Sequence, residues 1–508
     1  MADQDTDAHP TPAGRPNGGA VAATSTRTEG AAMMGRSAKR TVLAVAILAS
    51  FIAFLDGSVV NVALPAIDRE LGGGLAGQQW VVDAYLLSLS SVILLAGSLS
   101  DLFGRKRILL WGLLGFGAAS IACAVAPDIG ALIAARGVQG VAGALLVPSS
   151  LALIFGTFDG PEQTKAIGTW TAITSVASIA GPILGGVLVD TLSWRWVFGV
   201  NVLPIVATLV LLSRLDADPP RRAHARVDVI GAVLATVGLG LPIFALIESP
   251  TYGWGSPVIL AAMVVGTATL GVFLLWERRS AHPLLPLGLF RIRDFAAGNV
   301  STAFVYGGLG IGTFALALFL QQGAGYSATF AGFATVPSSI LLIALSASFG
   351  RLSARVGPRI LMAIGPLVAG GGFALMLRIG QHADYFTEVL PAVCVFGLGM
   401  AITVAPLTAT VLGAVESARS GIASAVNNAV SRVAGLIAVA LAGSAGGSVL
   451  GNVADFRTLV AAAAIATAVG GLVAAVGIRN PPRTAAEPGD GAETATRARH
   501  LSHHASLR

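Results

Sequence analysis

One acidic side chain interrupts a long apolar stretch and could carry a proton across a membrane. Fifteen residues separate Asp56 from Arg40 and eleven separate it from Asp68, and no other charge lies between them. Because a helix rises about 1.5 Å per residue, Asp56 would lie near the middle of a membrane. A charge there costs at least about 2.5 kcal/mol, which favours the protonated acid. We predict that Asp56 is a proton-coupling site; the alternative is a purely structural ion pair with Arg136.

Arg136 and Gln139 are three residues apart and therefore share one face of a helix. A buried arginine keeps its proton, so Arg136 suits tuning or displacing the proton on Asp56 better than carrying one. The alternative is that Arg136 binds backbone carbonyls between helices. Arg432 and Asn427 form a similar polar cluster. We interpret that cluster as contacts between helices rather than contacts with a substrate.

A second acid, Asp83, lies only three residues after Trp80 and 18 before Asp101. This spacing predicts a position close to one membrane surface. Asp83 could there attract a cationic substrate, take a second proton, or be a solvated residue at a helix end. These interpretations remain open because a shallow acid keeps its charge at little cost.

The composition of the chain limits its class of function. Of its 508 residues, 54% are hydrophobic and 11% are charged, and the formal net charge is +6. Soluble domains have about 25% charged residues, so an ordinary soluble enzyme, a disordered regulator and a nucleic-acid binder are excluded. The two cysteines lie in apolar stretches and the seven histidines lie outside them. We therefore expect no metal site. We also expect no cofactor and no enzymatic activity, and the coupling ion at Asp56 would be the proton.

Charge-free apolar stretches of about 20 residues predict transmembrane helices. An even number of spans puts both termini on one side, and the distribution of basic residues indicates that this side is cytoplasmic. Only four of the 32 basic residues then lie outside. The fourteen predicted spans are 42–66, 80–100, 108–126, 130–156, 166–189, 196–213, 229–247, 257–276, 295–320, 328–349, 360–377, 388–412, 421–446 and 458–478.

An internal repeat divides the spans into two halves. The loop at 97–107 and the loop at 350–359 share Gly, Leu, Ser and Gly at the same offsets, 253 residues apart. Transporters commonly use such repeats to alternate the access of a central site. We expect an all-α membrane protein with two pseudo-symmetric halves of six helices and an inserted helix pair. The predicted segments are a disordered tail (1–40), the first half (41–213), a linker with two helices (214–293), the second half (294–478) and a disordered tail (479–508).

Several motifs resemble the major facilitator superfamily, and within it the fourteen-helix drug:proton antiporter branch. Ala177 and Ser58 depart from the usual Gly and Thr of that branch. The matching segments are 55–65, 80–85, 97–107, 136–140, 181–186, 289–291, 320–322 and 421–428.

This resemblance implies roles for individual residues. Asp56 and Arg136 would couple protons. The implied substrate contacts are Asp83, Asn61, Gln139, Gln321 and Asn427, and the implied gating residues are Gly97, Asp101, Gly104, Arg105, Gly181 and Pro182.

We therefore expect a proton-coupled antiporter of the cytoplasmic (inner) membrane that exports a lipophilic, cationic or amphipathic compound. Its partners would be the substrate, protons and membrane lipid, without nucleic acid, and we expect a monomer. The alternatives are an exporter of an endogenous metabolite or lipid and a membrane receptor or scaffold that transports nothing.

Overall fold

The apolar stretches fold into helices because a bilayer offers no water to the backbone, so N–H and C=O groups must bond within each segment. The structure, a computed structural model, describes residues 36–215, 228–280, 283–416, 420–445 and 452–480. Thirteen helices of these residues are long and apolar enough to cross a membrane, and Gly74–Phe103 is a further 30-residue helix.

We number these helices α1 to α14 along the chain. Their bounds are α1 Arg36–Leu71, α2 Gly74–Phe103, α3 Arg105–Ala124, α4 Ile129–Thr157, α5 Gly160–Thr191, α6 Trp196–Ser213, α7 Val229–Tyr252, α8 Pro257–Arg279, α9 Arg293–Gln322, α10 Ala328–Val356, α11 Pro358–Met376, α12 Tyr385–Gly413, α13 Ser420–Ala445 and α14 Val453–Gly477.

Most helices extend beyond the predicted spans. The sequence predicts a tail up to residue 40, but α1 already begins at Arg36; residues 1–35 and 481–508 lie outside the described residues. The second span was predicted from residue 80, whereas α2 begins at Gly74. Polar residues continue these helices past the apolar core because helical hydrogen bonds also satisfy the backbone in the headgroup region.

The chain ends define the two faces of the bundle. We call the face where α1 begins and α14 ends the terminal face, and the face where α1 ends and α14 begins the far face. Helices α7 and α8 pack against each other, with Gly238 against the backbone of Leu270. Helix α7 also contacts α2 of the first half and α13 of the second. The inserted pair therefore lies beside the line where the halves meet.

The sequence repeat has a structural counterpart at two glycines. Gly104 separates α2 from α3, and Gly357 separates α10 from α11. Their φ angles are 93° and 89°, and their ψ angles are 142° and 151°. Side chains with a Cβ rarely adopt positive φ, so glycine is required at both turns. The same tight turn thus recurs at the terminal face of each half.

Two sets of hydrogen bonds join the halves near the far face. Asp190, at the end of α5, accepts hydrogen bonds from the backbone N–H groups of Ala328 and Thr329, at 3.2 and 2.7 Å. The Gln79 side chain on α2 donates to the carbonyls of Val439 and Ala440 on α13. These contacts hold the two halves together on this side of the membrane.

Candidate functional site

Asp56 lies at the centre of a buried polar network in the first half. Its side chain is fully buried on α1, and its Oδ2 accepts a hydrogen bond from Arg136 Nη1 at 2.6 Å. Its Oδ1 accepts from Gln139 Nε2 and Asn201 Nδ2, both at 2.9 Å. Three donors, one of them charged, therefore satisfy the two carboxyl oxygens in this otherwise apolar setting.

Arg136 is held in place by three further contacts. Its Nε donates to the Val81 carbonyl at 2.9 Å, and its Nη1 also donates to Gln139 Oε1 at 2.7 Å. The guanidinium lies 4.2 Å from the centre of the Tyr85 ring, a cation–π distance. Arg136 and Asp56 are therefore in direct contact, as predicted. Both interpretations of Asp56, as a proton-coupling site and as a structural ion pair, require this contact.

Sequence reasoning missed two members of this network. Asn201 lies at the break within α6, between Trp196–Gly199 and Val202–Ser213, and Ser120 lies on α3 and bonds Gln139 Nε2 at 2.9 Å. The signal for Asn201 was available: it is an amide within an apolar span, where polar groups are costly. Ser120 gave no comparable signal, because a serine in a helix can bond its own backbone.

A central cavity of about 120 Å³ lies between the halves, directly beside this network. The first half contributes residues of α1, α2 and α4, and the second half contributes residues of α9 and α13. The lining includes Asn61, Tyr85, Leu86, Arg136, Phe314, Gly435 and Val439. Since Arg136 lines the cavity and also binds Asp56, a ligand in the cavity would contact the partner of the buried acid.

The structure separates three of the predicted substrate residues. Asn61 lines the central cavity, as a substrate contact requires. Gln139 bonds Asp56 and Arg136 and belongs to the buried network. Gln321 lines a different, larger cavity of about 440 Å³ at the far face, so it is distant from Asp56 along the membrane normal.

Asn427 and Asp83 do not line the central cavity. Asn427 on α13 donates to Asn299 Oδ1 and Thr302 Oγ1 of α9, at 3.2 and 2.8 Å, so it links two helices of the second half. Asp83 is fully buried, and neither of its oxygens has a hydrogen-bond partner. Of the three open interpretations, a solvated residue at a helix end is wrong, because Asp83 is fully buried nine residues after the start of α2 at Gly74.

Comparison with known proteins identifies the family. The model of the Major Facilitator Superfamily matches residues 46–439, and a second match covers 299–507. The chain belongs to the Major Facilitator Superfamily. It is accordingly a multi-pass membrane transporter and not an enzyme.

Two curated superfamily proteins are similar over most of the chain. The Multidrug resistance protein Stp of Mycobacterium tuberculosis is 37% identical over 403 residues, which is 77% of this chain and 72% of that protein. The Puromycin resistance protein pur8 of Streptomyces alboniger is 37% identical over 408 residues, 78% of this chain and 80% of that protein.

A solved superfamily structure matches the fold. The crystal structure of the peptide transporter POT in complex with sulfate aligns with a TM-score of 0.67. The alignment covers 88% of this chain and 97% of the peptide transporter chain, and the two sequences are 16% identical. At this identity the likeness supports the superfamily fold and carries nothing about substrate.

The superfamily loop motif after α2 is only partly described. Gly97 and Asp101 lie in the last two turns of α2, where the structure describes the helix but not the Asp101 side chain. Gly104 forms the positive-φ turn, and Arg105 begins α3 with its guanidinium packed against Gly156 of α4. The turn and the α3–α4 contact are therefore fixed at the terminal face, whereas the gating role of these residues stays a prediction.

The α5 motif lies where α5 touches both halves. A Cβ on Gly181 would collide with the Ser58 hydroxyl of α1, and the Pro182 carbonyl lies against Gly332 of α10 in the second half. Ser58 also donates to the carbonyl of Ala177 at 3.2 Å, so the departures from the motif at these two positions still form a direct α1–α5 contact. The glycines allow the close packing that joins α5 to α1 and α10.

Proposed function

We propose that this transporter exports lipophilic, amphipathic drugs or antibiotics in exchange for protons. The observation that carries the proposal is the position of Arg136, which lines the central cavity and binds the fully buried Asp56 at 2.6 Å. The printed names of the two relatives, a multidrug and a puromycin resistance protein, support drugs as the substrate class.

The Asp56–Arg136 pair provides a mechanism for coupling. A proton on Asp56 removes the negative charge that holds the guanidinium, so Arg136 becomes free to face the cavity. Deprotonation restores the pair and draws Arg136 back to α1. One proton moving through 100 mV supplies about 2.3 kcal/mol, roughly a fiftyfold concentration ratio. A single proton per cycle is therefore sufficient for useful export.

Alternating access would use the seam between the halves. The bonds of Asp190 and Gln79 near the far face support a state that is closed on that side. We propose that the terminal face is cytoplasmic, because basic residues such as Arg105, Arg279 and Arg293 are at helix ends there. The structure would then correspond to an inward-facing state that receives substrate from the cytoplasm.

The cationic preference suggested by the sequence depended on Asp83. That side chain is buried away from the central cavity lining, so a cationic substrate stays a prediction without support from the cavity. An endogenous metabolite or lipid is the alternative cargo, and the same coupling mechanism would serve it.

The proposal can be tested in proteoliposomes that contain the purified full-length chain. An acidic interior is imposed, and a pH-sensitive dye follows proton movement after addition of lipophilic drugs with neutral, cationic or acidic head groups. Wild type and Asp56→Asn are compared. Glu416→Gln serves as the control, because it removes an exposed acid from the loop after α12.

We expect drug-evoked proton movement with wild type and Glu416→Gln and none with Asp56→Asn. Equal movement with Asp56→Asn would overturn the assignment of the proton site. If no drug evokes movement with a correctly folded wild type, the drug assignment fails in favour of an endogenous metabolite or lipid.

A further inference from the structure

Arg432 is a charged residue of α13 that lies between the level of the central cavity and the terminal face. It lies near the middle of α13, on the same helix face as Gly435 and Val439, which line the cavity three and seven residues later. Helix α13 begins at the terminal face, so Arg432 lies one turn closer to that face than the cavity residues. Its side chain is half-buried.

Arg432 has no acidic partner. Within the part of the chain that the structure describes, it makes no hydrogen bond and no ion pair. The helix that carries it, α13, packs against α2 of the first half and α9 of the second. The acid of the cavity region, Asp56, is already occupied by Arg136 and two amide groups. Five unused donors on a guanidinium near the middle of a membrane suit an anionic ligand.

The Tyr85 hydroxyl is a second unused donor. Tyr85 is 2% exposed, and its hydroxyl makes no hydrogen bond. Its ring faces the Arg136 guanidinium, and its hydroxyl lies beside Gly143 of α4. Helices α2 and α13 pack against each other, so Tyr85 and Arg432 place unused donors on neighbouring helices of the two halves. A buried hydroxyl without a partner loses free energy that an acceptor would restore.

We propose that the central cavity recognises an acidic group, a carboxylate or phenolate, on an otherwise lipophilic substrate. Arg432 and Tyr85 donate hydrogen bonds to that group. The apolar body of the substrate packs against residues such as Leu86, Phe314 and Val439. This inference rests on the proposed export function and assigns its substrate class as lipophilic acids.

Three probes with the same apolar body test the head group alone: 1-pyrenebutyrate, 1-pyrenebutanol and 1-pyrenebutylamine. The full-length chain is placed in phosphatidylcholine nanodiscs, and binding is followed by energy transfer from protein tryptophans to pyrene. We expect wild type to bind the acid at least about tenfold more tightly than the alcohol, the range of a charged hydrogen bond. The amine should bind more weakly than the alcohol.

Substitutions assign the preference to its residues. Arg432→Gln should abolish the tenfold preference for the acid, Arg432→Lys should retain most of it, and Tyr85→Phe should reduce it severalfold. Arg457→Gln, which removes an exposed arginine near the far face, is the matched control and should bind like wild type. If Arg432→Gln does not fold, Arg432→Lys and Tyr85→Phe still decide the question. Equal binding of acid and alcohol by wild type overturns the proposal.

A lipid phosphate has the same chemistry as the proposed acidic group. Adding phosphatidylglycerol to the nanodiscs separates the two sources. Loss of the acid preference in its presence would assign the site to a lipid headgroup and overturn the substrate assignment. Probe binding in nanodiscs needs no proton gradient. The head-group preference is therefore independent of the proton movement measured with Asp56→Asn in liposomes. Conversely, drug-evoked proton movement without head-group preference would refute only this inference.

Discussion

Two arginines, one in each half, lie close to the middle of the membrane in opposite situations. Arg136 in the first half bonds Asp56, Gln139 and the Val81 carbonyl. Arg432 in the second half has no hydrogen bond or ion pair among the described residues. The same residue type thus completes an internal network in one half and leaves binding capacity in the other.

The difference indicates that the halves divide their tasks although their folds correspond. Gly104 and Gly357 form the same turn in the two halves, yet the buried acid and its amide donors are found in the first. The Asn427 contacts of the second half are neutral. In our proposals, protons act on the first half and the substrate's charge is read by the second. Each prediction below tests one part of this contrast.

The largest expected effect is on stability. Arg136→Gln leaves Asp56 without its charged partner, and breaking a buried ion pair in this way costs about 3–5 kcal/mol. Arg432→Gln removes a charge that has no internal partner, so stability should be unchanged or higher. Thermal unfolding of the purified variants in detergent measures both. Similar losses in the two variants would contradict the contrast between the halves.

A smaller effect is expected at Asn201. Asn201→Leu keeps the volume of the side chain but removes one donor from Asp56 Oδ1. The loss of a hydrogen bond to a buried charged group should cost about 1–3 kcal/mol in the same unfolding measurement. Thr208→Val on the same helix is the control, because its hydroxyl donates to Pro204 within α6. A cost no larger than that of the control would remove Asn201 from the network.

The seam between the halves should respond to Asp190→Ala. This change removes the carboxylate that caps α10 from the other half, and helix caps are worth about 1 kcal/mol. The far face should open more often, about fivefold by that free energy. The measurement is labelling of a Gln321→Cys variant, which lines the far-face cavity, by an impermeant maleimide in a background without the native cysteines.

Asp384→Ala is the matched control for this experiment. Asp384 also caps a helix at the far face, but it accepts from Thr387 within its own half. Its removal should leave the labelling rate unchanged. Equal acceleration by both variants would mean that loss of a cap, and not loss of a link between the halves, controls access.

The smallest effect is expected at Asn427. Hydrogen bonds between membrane helices average about 0.6 kcal/mol, so Asn427→Ala should lower stability slightly and leave binding of pyrenebutyrate unchanged. Asn428→Ala is the control, since its amide bonds Ser424 within α13. A large loss of probe binding in Asn427→Ala alone would return this residue to the substrate contacts predicted from the sequence.

Much of the fold could be predicted from the sequence. Hydropathy gave the order and number of the spans because membrane insertion depends on local apolar length. The repeated loop residues anticipated the matching turns at Gly104 and Gly357. Helix ends were less accurate, as at α2, because a helix continues into the headgroup region without an apolar signal.

The site was predicted only in part. The spacing of charges identified Asp56 and Arg136, since a charge in the membrane is rare enough to be informative. The same reasoning did not anticipate that Asp83 is fully buried, and it grouped Gln321 and Asn427 with residues of the central cavity, which they do not line. Their surroundings depend on how each helix is rotated and which helix lies beside it.

The sequence by itself determined which segments enter the membrane and which charges enter with them, because the cost of moving a residue into lipid is local. Only the tertiary structure decided which of those charges find partners. Asn201 reaches Asp56 from a helix 145 residues away, and Asp190 caps a helix 138 residues away. Such contacts arise from packing between distant segments. Packing therefore gave Arg136 its partners and left Arg432 without a hydrogen bond or ion pair among the described residues.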